Sequence, residues 1–256
     1  MNFHTLYKFS YYLLSLPQSI YFCLKMFPLR TALRLPVIVS RHVWLEELRG
    51  RIELPEHPRV AGIRIGFGRV GIFDYCHSRT ILQLSGGTIS FRGTASLGQG
   101  TRISMGPHGH LIFGDGVCIT AESSIICYDR IELGDDSLIS WECQFMDTDF
   151  HSIRQSDVQE GSTGNVLLNP DAPIYIGKHC WICSRCMVLK GSRLEDDCVL
   201  GGGAVRFALF RMTRIRCWWV RLRSLCARIS AGRLMRLASD LVSMPAFLSG
   251  WTVAPM

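Results

Sequence analysis

The sequence lacks three features that would place the protein in a secreted, membrane-spanning or disordered class. The N-terminus shows no succession of basic region, apolar core and small-residue cleavage site, so no signal peptide is predicted. The apolar segment 11–27 is interrupted by Pro17, Gln18 and Lys25, and falls short of the roughly 20 apolar residues that a spanning helix needs. With 48% hydrophobic and 19% charged residues, the chain is expected to fold. We therefore expect a globular cytoplasmic protein whose 11 cysteines are reduced.

Acidic residues are nearly absent from the C-terminal fifth of the chain. From Arg206 to Met256 there are nine arginines, no lysine and one acid, Asp240. The whole chain has a formal charge of +7, so the residues before Arg206 carry a slight negative excess. Because the positive charge is a property of the tail, we predict no nucleic-acid partner. Taken by itself, the tail 206–256 predicts a basic amphipathic helix at a membrane surface.

A six-residue repeat is the main pattern that is present. Large apolar residues recur at this interval in several runs: Phe91, Leu97 and Ile103; Phe113, Ile119 and Ile125; Leu133, Ile139 and Phe145; and Ile176, Ile182, Val188, Leu194 and Leu200. A small residue often follows four positions later, as at Ser137, Cys143, Cys180, Cys186, Ser192, Cys198 and Ala204. This period fits neither an α-helix nor a simple amphipathic strand. It predicts short strands joined by tight turns, with one large and one small side chain pointing inward on each face.

The stretch CWICSRC, residues 180–186, has cysteine spacings that could also belong to a zinc site. Cys180, Cys186 and Cys198 share the small inward position of the repeat, however, whereas Cys183 does not. A free cysteine is a good small apolar filler. His179 is adjacent to Cys180, and adjacent side chains in a strand point to opposite faces. We therefore predict wall cysteines and no metal.

The repeat resembles that of the hexapeptide-repeat acyltransferases, whose fold is a left-handed parallel β-helix with triangular coils. IGKHCWICSRCMVLKGSRLEDDCVLGGGAV is similar to the final coils of that family. ISWECQFMDTDFHSI is similar to the active-site segment of its polysaccharide-modifying O-acetyltransferases, and IYFCLKMFPLRTALRLPVIVSR to their lead-in. Maltose and galactoside O-acetyltransferases are more distant. The resemblance implies an all-β fold, with a partly helical lead-in or cap at 1–60, a β-helix at 61–205 and an atypical tail at 206–256.

The apolar segment 11–27 has two interpretations within that architecture. It packs against the β-helix as a cap, or it lies at a membrane surface with aromatic anchors, as a peripheral contact. Packing is the favoured interpretation.

The segment MDTDFHSI interrupts the repeat and contains the candidate catalytic residues. In an extended chain Asp147, Asp149 and His151 share one face. A histidine beside carboxylates is suited to act as a general base, although a solvated turn is an equally good interpretation of the residues alone. The resemblance assigns the base to His151. Asp149 is our choice over Asp147 for orienting the ring.

The resemblance also implies acetyl-CoA as co-substrate and a sugar hydroxyl of a surface polysaccharide as acceptor. It gives Ser184 the backbone contact to the oxyanion, and it places Trp181 near the histidine. Gly202 and Gly203 would allow close approach of the cofactor. It further implies a homotrimer with the cofactor and the acceptor in the cleft between subunits, framed in part by the loop 152–173.

The tail departs from the family pattern directly after Val205. Phe207 and Ala208 stand where the family continues with Thr-Lys, and no GNPA-like strand follows. A one-base shift allows the codons of residues 211–228 to encode DDADTLLVGTPAQPVRE, which carries such an ending. We therefore interpret 206–256 as the product of a frame shift that replaced the last coil and its cap. Whether this exact chain is active depends on how far the loss of the last coil and its cap impairs it.

Two other functions stay open. A metal-dependent hydratase on the same fold would need three histidines, but His108, His110, His151 and His179 do not share a repeat position. A non-catalytic protein, such as a disabled transferase that still trimerises or binds a partner, is the second alternative. A metal assay tests the first, and cofactor binding without turnover would favour the second.

Overall fold

A computed structural model describes residues 3–68, 70–74, 77–154, 167–207 and 226–228. The helices α1 (Phe3–Met26) and α2 (Leu29–Ala32) come first, and three sheets follow. Sheet 1 contains, in spatial order, β1 (Val37–Val39), β4 (Ile63–Ile65), β7 (Ala95–Gln99), β10 (Val117–Ala121), β13 (Leu138–Ile139), β16 (Trp181–Ile182), β19 (Cys198–Leu200) and β21 (Cys226–Arg228). Sheet 2 contains β2 (Val43–Leu48), β5 (Thr80–Leu84), β8 (Arg102–Met105), β11 (Ser124–Cys127), β14 (Gln144–Met146), β17 (Met187–Leu189) and β20 (Val205–Arg206). Sheet 3 contains β3 (Arg51–Glu53), β6 (Thr88–Phe91), β9 (His110–Phe113), β12 (Arg130–Leu133), β15 (Ile174–Ile176) and β18 (Arg193–Leu194).

Successive strands move from one sheet to the next, and each strand pairs in parallel with the strand one coil away. Ile182 of β16 pairs with Leu200 of β19, so the last regular coil advances by three six-residue units. Only β21 breaks the pattern among the described strands, since it pairs antiparallel with β19. The fold is the left-handed parallel β-helix that the repeat predicts, an exception to the usual right-handed crossover.

The interior confirms the six-residue repeat residue by residue. The predicted inward residues are all at most 4% exposed: Phe91, Leu97, Ile103, Phe113, Ile119, Ile125, Leu133, Ile139, Phe145, Ile176, Ile182, Val188, Leu194 and Leu200. Cys180, Cys186 and Cys198 are buried as predicted, whereas Cys183 is half-buried. Each coil thus contributes one large apolar side chain from each of the three sheets to a continuous core.

The turns explain why the coil closes on so few residues. The residue before the small inward residue adopts a left-handed backbone conformation, with positive φ, in most coils at two of the three corners, and Gly191 does so at the third, before Ser192. Between sheets 1 and 2 these residues are Gly100, Glu122, Glu142, Arg185 and Gly203, and between sheets 3 and 1 they are Gly116, Asp136, His179 and Asp197. His179 is therefore a turn residue, and its ring nitrogens lie 3.5 Å from carboxylate oxygens of Asp136 and of Asp197.

The first coil begins earlier than the boundary at residue 61 that the sequence suggests. Strands β1, β2 and β3 already pair with β4, β5 and β6. The repeat is hidden there because the β2–β5 register shifts between Leu45 and Glu47 and because long connections follow β3 and β4. The lead-in within 1–60 is thus partly helical and partly the first coil.

Helix α1 packs on the exposed edge of this first coil. The Ser19 hydroxyl accepts a hydrogen bond from the backbone N–H of Val39 at 2.9 Å, and Gln18 donates from Nε2 to the carbonyl of Val43 at 2.6 Å. Phe22 and Cys23 are fully buried against the core. The contacts agree with the favoured interpretation of segment 11–27 as a cap. No helix within the described residues is long and apolar enough to cross a membrane.

The helix considered for the basic tail falls mainly outside the described residues. Within 206–256 the structure describes Arg206, which ends β20, then Phe207, and β21.

Candidate active site

The chain leaves the regular coil where β14 ends, at the corner between sheets 2 and 3. Asp147, the first residue after β14, is completely buried and anchors the departure. Its carboxylate accepts hydrogen bonds from the backbone N–H groups of Tyr128 (2.7 Å) and Asp129 (2.9 Å) in the preceding coil. Burial raises the pKa of this carboxyl, and the two backbone N–H donors oppose that shift. Asp147 therefore acts as a structural acceptor at the base of the excursion.

Asp149, two residues later, is held by a buried lysine. Its Oδ2 lies 2.6 Å from Nζ of Lys190 and 3.0 Å from Nδ2 of Asn169. Burial alone would raise the pKa of Asp149, but the hydrogen bonds from Lys190 and Asn169 outweigh it and hold the pKa below its usual value. Lys190 also donates to the carbonyl oxygens of Asn169 (3.0 Å) and Pro170 (3.1 Å). The lysine thereby fastens both ends of the excursion to the coil below.

Asn169 clamps the backbone on the C-terminal side of His151. Its Nδ2 donates to the carbonyl oxygen of His151 at 2.7 Å, and its Oδ1 accepts from the N–H of Ile153 at 2.6 Å. The backbone N–H of His151 also donates to the carbonyl of Asp149 at 2.7 Å. Three hydrogen bonds thus fix the main chain at His151, which pre-orders the direction of its side chain.

His151 borders a small cavity of about 180 Å³. The lining residues are Tyr128, Thr148, Phe150, His151, Ser152, Leu167, Asn169 and Asp171. The rings of Tyr128 and Phe150 meet edge to face, with centroids 5.2 Å apart, and form an aromatic wall. Within the described residues the imidazole of His151 has no hydrogen-bond partner, and the residue is exposed. The arrangement places the imidazole at the border of a polar cavity.

The predicted pairing of Asp149 with His151 is absent from this geometry. Among the described contacts the Asp149 carboxylate meets Lys190 and Asn169, and only its backbone carbonyl meets His151. The alternative Asp147 is also engaged elsewhere, by backbone N–H groups. Asp149 is therefore a residue that positions the loop, and its carboxylate makes no hydrogen bond to the ring.

The residues that the resemblance gives to the cofactor gather at a different corner, between sheets 1 and 2. The carbonyl of Ser184 accepts a 3.0 Å hydrogen bond from the N–H of Gly203, whose φ of +72° suits glycine. A Cβ added to Gly202 would lie 3.5 Å from that same carbonyl oxygen. The N–H of Ser184 has no acceptor within the described part of the chain. This corner therefore offers an unused backbone donor beside an open glycine turn.

Trp181 lies next to this corner, on the outer face of sheet 1. Its Nε1 donates to Oγ of Ser140 at 3.1 Å, and the residue is 44% exposed. No ring contact or hydrogen bond joins Trp181 to His151 among the described residues. The two predicted halves of the site therefore stand at different corners of the same chain.

Asn169 and Lys190 are site residues that the sequence interpretation missed. Lys190 follows Val188 by two positions, as Asp147 follows Phe145, so both continue an inward-facing row that Met105 and Cys127 occupy in earlier coils. A charged residue at an inward position was the available signal for Asp147 and Lys190. Asn169 carries no such signal, since it lies outside the repeat.

The described residues contain no cluster of three or more His, Cys, Asp or Glu side chains that could hold a metal ion. His110 lies on the outer face of sheet 3 within hydrogen-bond distance of Ser90 Oγ, at 2.8 Å. His151 and His179 are at separate corners. The described histidines therefore do not converge within one chain.

No protein-family model matches the chain. An uncharacterized 24.8 kDa protein in the cps region of Klebsiella pneumoniae is 27% identical over 137 residues, covering 47% of this chain and 57% of that protein. A probable acetyltransferase of Mycobacterium tuberculosis is 33% identical over 97 residues, covering 38% of this chain and 31% of that protein. The chain thus spans less than two thirds of each of these relatives.

Two solved structures are similar at low identity. The polySia specific acetyltransferase NeuO shares 11% identity at a TM-score of 0.33, over 70% of this chain and 82% of that one. The polysialic acid O-acetyltransferase OatWY shares 12% at a TM-score of 0.27, over 68% and 92%. By its six-residue repeat, its three parallel sheets and its curated match, the chain resembles the hexapeptide-repeat O-acetyltransferases.

Proposed function

We propose that this chain belongs to an O-acetyltransferase that moves an acetyl group from acetyl-CoA to a sugar hydroxyl of a surface polysaccharide. The observation that carries the proposal is the imidazole of His151, which has no hydrogen-bond partner among the described residues and lies at the rim of a polar cavity, on a backbone clamped by Asn169. Geometry of this kind suits a general base, because a fixed main chain limits the positions that the ring can take. The similarity to a probable acetyltransferase supports the same reaction class.

The chemistry requires one proton transfer in each direction. His151 takes the proton of the acceptor hydroxyl while that oxygen attacks the thioester carbonyl of acetyl-CoA. The oxyanion that forms is stabilised by a backbone N–H, for which the unused amide of Ser184 is suited. When the carbon–sulfur bond breaks, the imidazolium returns its proton to the departing thiolate. No covalent intermediate on the protein is needed, so the buried cysteines take no part.

We further propose that the site is completed between two copies of the chain in a homotrimer. His151 stands at the corner between sheets 2 and 3, whereas Ser184 and Gly202 stand at the corner between sheets 1 and 2. Within a single chain, the base and the oxyanion donor are therefore separated by the width of sheet 2. Closed three-fold symmetry would bring a corner of one copy beside a different corner of its neighbour, which supports a cofactor cleft at the interface.

The test measures acetyl transfer by the full chain to a panel of bacterial surface polysaccharides. The two readouts are release of the CoA thiol and gain of acetyl groups on the acceptor. We expect His151→Ala to reduce turnover at least about 100-fold while acetyl-CoA still binds. His108→Ala is the matched control, since His108 is an exposed turn residue that does not line the cavity, and it should behave as the unmodified chain. Equal turnover by the His151→Ala protein would refute the proposal.

A non-catalytic β-helix is the second candidate, and the departure after Val205 favours it. Phe207, which is 48% exposed, stands where a Thr-Lys pair would help to hold the cofactor. In that case calorimetry would detect acetyl-CoA binding or trimerisation without turnover on any acceptor.

A further inference from the structure

Helix α1 buries one face against the β-helix and exposes large apolar side chains on the opposite face. Ser15, Ser19, Phe22 and Cys23 form the buried face. The other side exposes a row of large apolar side chains: Leu13 (54%), Leu16 (36%), Ile20 (44%), Tyr21 (58%) and Leu24 (51%). A surface helix of a globular protein normally carries polar residues on the face opposite the core. Among the described residues, nothing covers the outer face of α1.

The uncovered surface continues past the end of α1. Leu29 and Leu33, on and after α2, are 63% and 72% exposed. Together with the outer face of α1 they define what we call the N-terminal apolar face. Monomeric proteins rarely expose a contiguous apolar area of this kind unless it binds a partner or a membrane.

The charges around the N-terminal apolar face identify its partner. The first acidic residue of the chain is Glu46, whereas five basic residues precede it: Lys8, Lys25, Arg30, Arg34 and Arg41. Lys25, Arg30 and Arg34 are exposed beside the apolar residues. A second copy docked on the same face would bring like charges together. An anionic surface would instead pair with them while it buries the leucines.

We propose that α1 and α2 lie in the headgroup layer of a membrane that contains anionic lipids, parallel to its plane, with the N-terminal apolar face inserted. The same helix would then join the solenoid to the membrane, since its opposite face is hydrogen-bonded to β1 and β2. A basic, apolar helix that does not span is suited to this position, and exposed tyrosines such as Tyr21 favour the interface. This inference goes beyond the proposed acetyl transfer and does not depend on it.

The experiment is flotation of the full chain with vesicles of phosphatidylcholine alone and of phosphatidylcholine mixed with phosphatidylglycerol. We expect flotation with the anionic vesicles only. Ile20→Glu combined with Leu24→Glu should lower the vesicle-bound to free ratio at least about tenfold, because two inserted side chains become charged. Val60→Glu with Ile72→Glu is the matched control, since both residues are exposed and lie on connections of the solenoid (73% and 68%).

Circular dichroism and thermal unfolding would confirm that both doubly substituted proteins remain folded. Arg30→Gln with Arg34→Gln should weaken binding to the anionic vesicles while leaving the apolar face intact. Flotation of the Ile20→Glu/Leu24→Glu protein at the level of the unmodified chain would assign any lipid binding to the basic tail and overturn the inference. Absence of flotation by the unmodified chain would also overturn it. So would a lipid-free oligomer that this variant dissociates, since a second copy would then cover the face.

Discussion

Lys190 and Asp149 form an ion pair of 2.6 Å between the end of β17 and the loop that carries His151. The lysine side chain is 9% exposed, and it also donates to two backbone carbonyls of the returning strand of the loop. A single buried cation thus holds the outgoing and the returning segments together.

Replacing Lys190 should disturb the base without disturbing the cofactor corner. We expect Lys190→Met to keep the fold, to lose about 1–3 kcal/mol of unfolding free energy, and to lower turnover at least tenfold. The affinity for acetyl-CoA should stay unchanged, because Ser184 and Gly202 lie at another corner. Lys178→Met is the matched control: Lys178 also pairs with an aspartate, Asp135 at 2.8 Å, but it is 58% exposed. A similar loss of turnover in both proteins would contradict the positioning role.

The amide of Asn169 should be needed because it is neutral, whereas a carboxylate in its place would add a negative charge beside Asp149. Asn169→Asp keeps the shape but replaces the Nδ2 donor with an oxygen, which would face both the Asp149 carboxylate and the His151 carbonyl. We expect the pKa of Asp149 to rise from its lowered value and turnover to fall, with a larger effect on kcat than on the acetyl-CoA KM. Nuclear magnetic resonance titration of the aspartates and steady-state kinetics measure the two effects. An unchanged kcat would show that the clamp is dispensable.

The wall cysteines should tolerate small replacements and reject large ones. Cys186 is fully buried in the row that also contains Cys143 and Ala204. Cys186→Ala should cost less than about 1.5 kcal/mol, whereas Cys186→Leu should cost about 1–3 kcal/mol through overpacking. Urea unfolding measures both, and metal analysis of the purified chain accompanies it. Stoichiometric zinc that disappears in Cys186→Ala would contradict the wall assignment.

Stability should fall at acidic pH, partly through Asp115. Its pKa is lowered, chiefly by the hydrogen bond from the Thr94 N–H and then by the Thr94 hydroxyl. A folded-state pKa below the unfolded value stabilises the fold above the ordinary value of 3.8, and this contribution disappears as the pH falls through the folded-state pKa. Asp147 has the opposite sign, since its pKa is raised. Asp115→Asn should therefore show a smaller loss of unfolding free energy than the unmodified chain between about pH 6 and pH 3.

Restoring the shifted frame after Val205 should improve the cofactor corner. We expect the restored protein to bind acetyl-CoA at least about tenfold more tightly by calorimetry and to unfold at higher temperature, because a cap protects the end of a solenoid. The coding DNA supplies a first check, since it must be able to encode GTPA in the shifted frame. Equal binding by both proteins would make the tail irrelevant to the cofactor.

The candidate site was predicted from the sequence only in part. His151 was selected because its segment interrupts the repeat and matches the family's catalytic histidine, and its role stays a prediction; Ser184, Gly202 and Gly203 meet at one turn. The contacts of Asp149 with Lys190 and Asn169 were not predicted, because spacing along a strand says nothing about a residue 41 positions later. Asp147 and Lys190 are charged residues at inward positions of the repeat, and this signal was not used.

By itself the sequence determined the coil. A period of six with large and small inward residues leaves few other ways to bury them, so the parallel β-helix and the wall cysteines follow from local pattern and solvent exclusion. Only the tertiary structure decided which residues meet across coils. Stacking sets the register that brings Lys190 beneath the loop and α1 against the first coil. These contacts join residues far apart in the chain, so no local pattern encodes them.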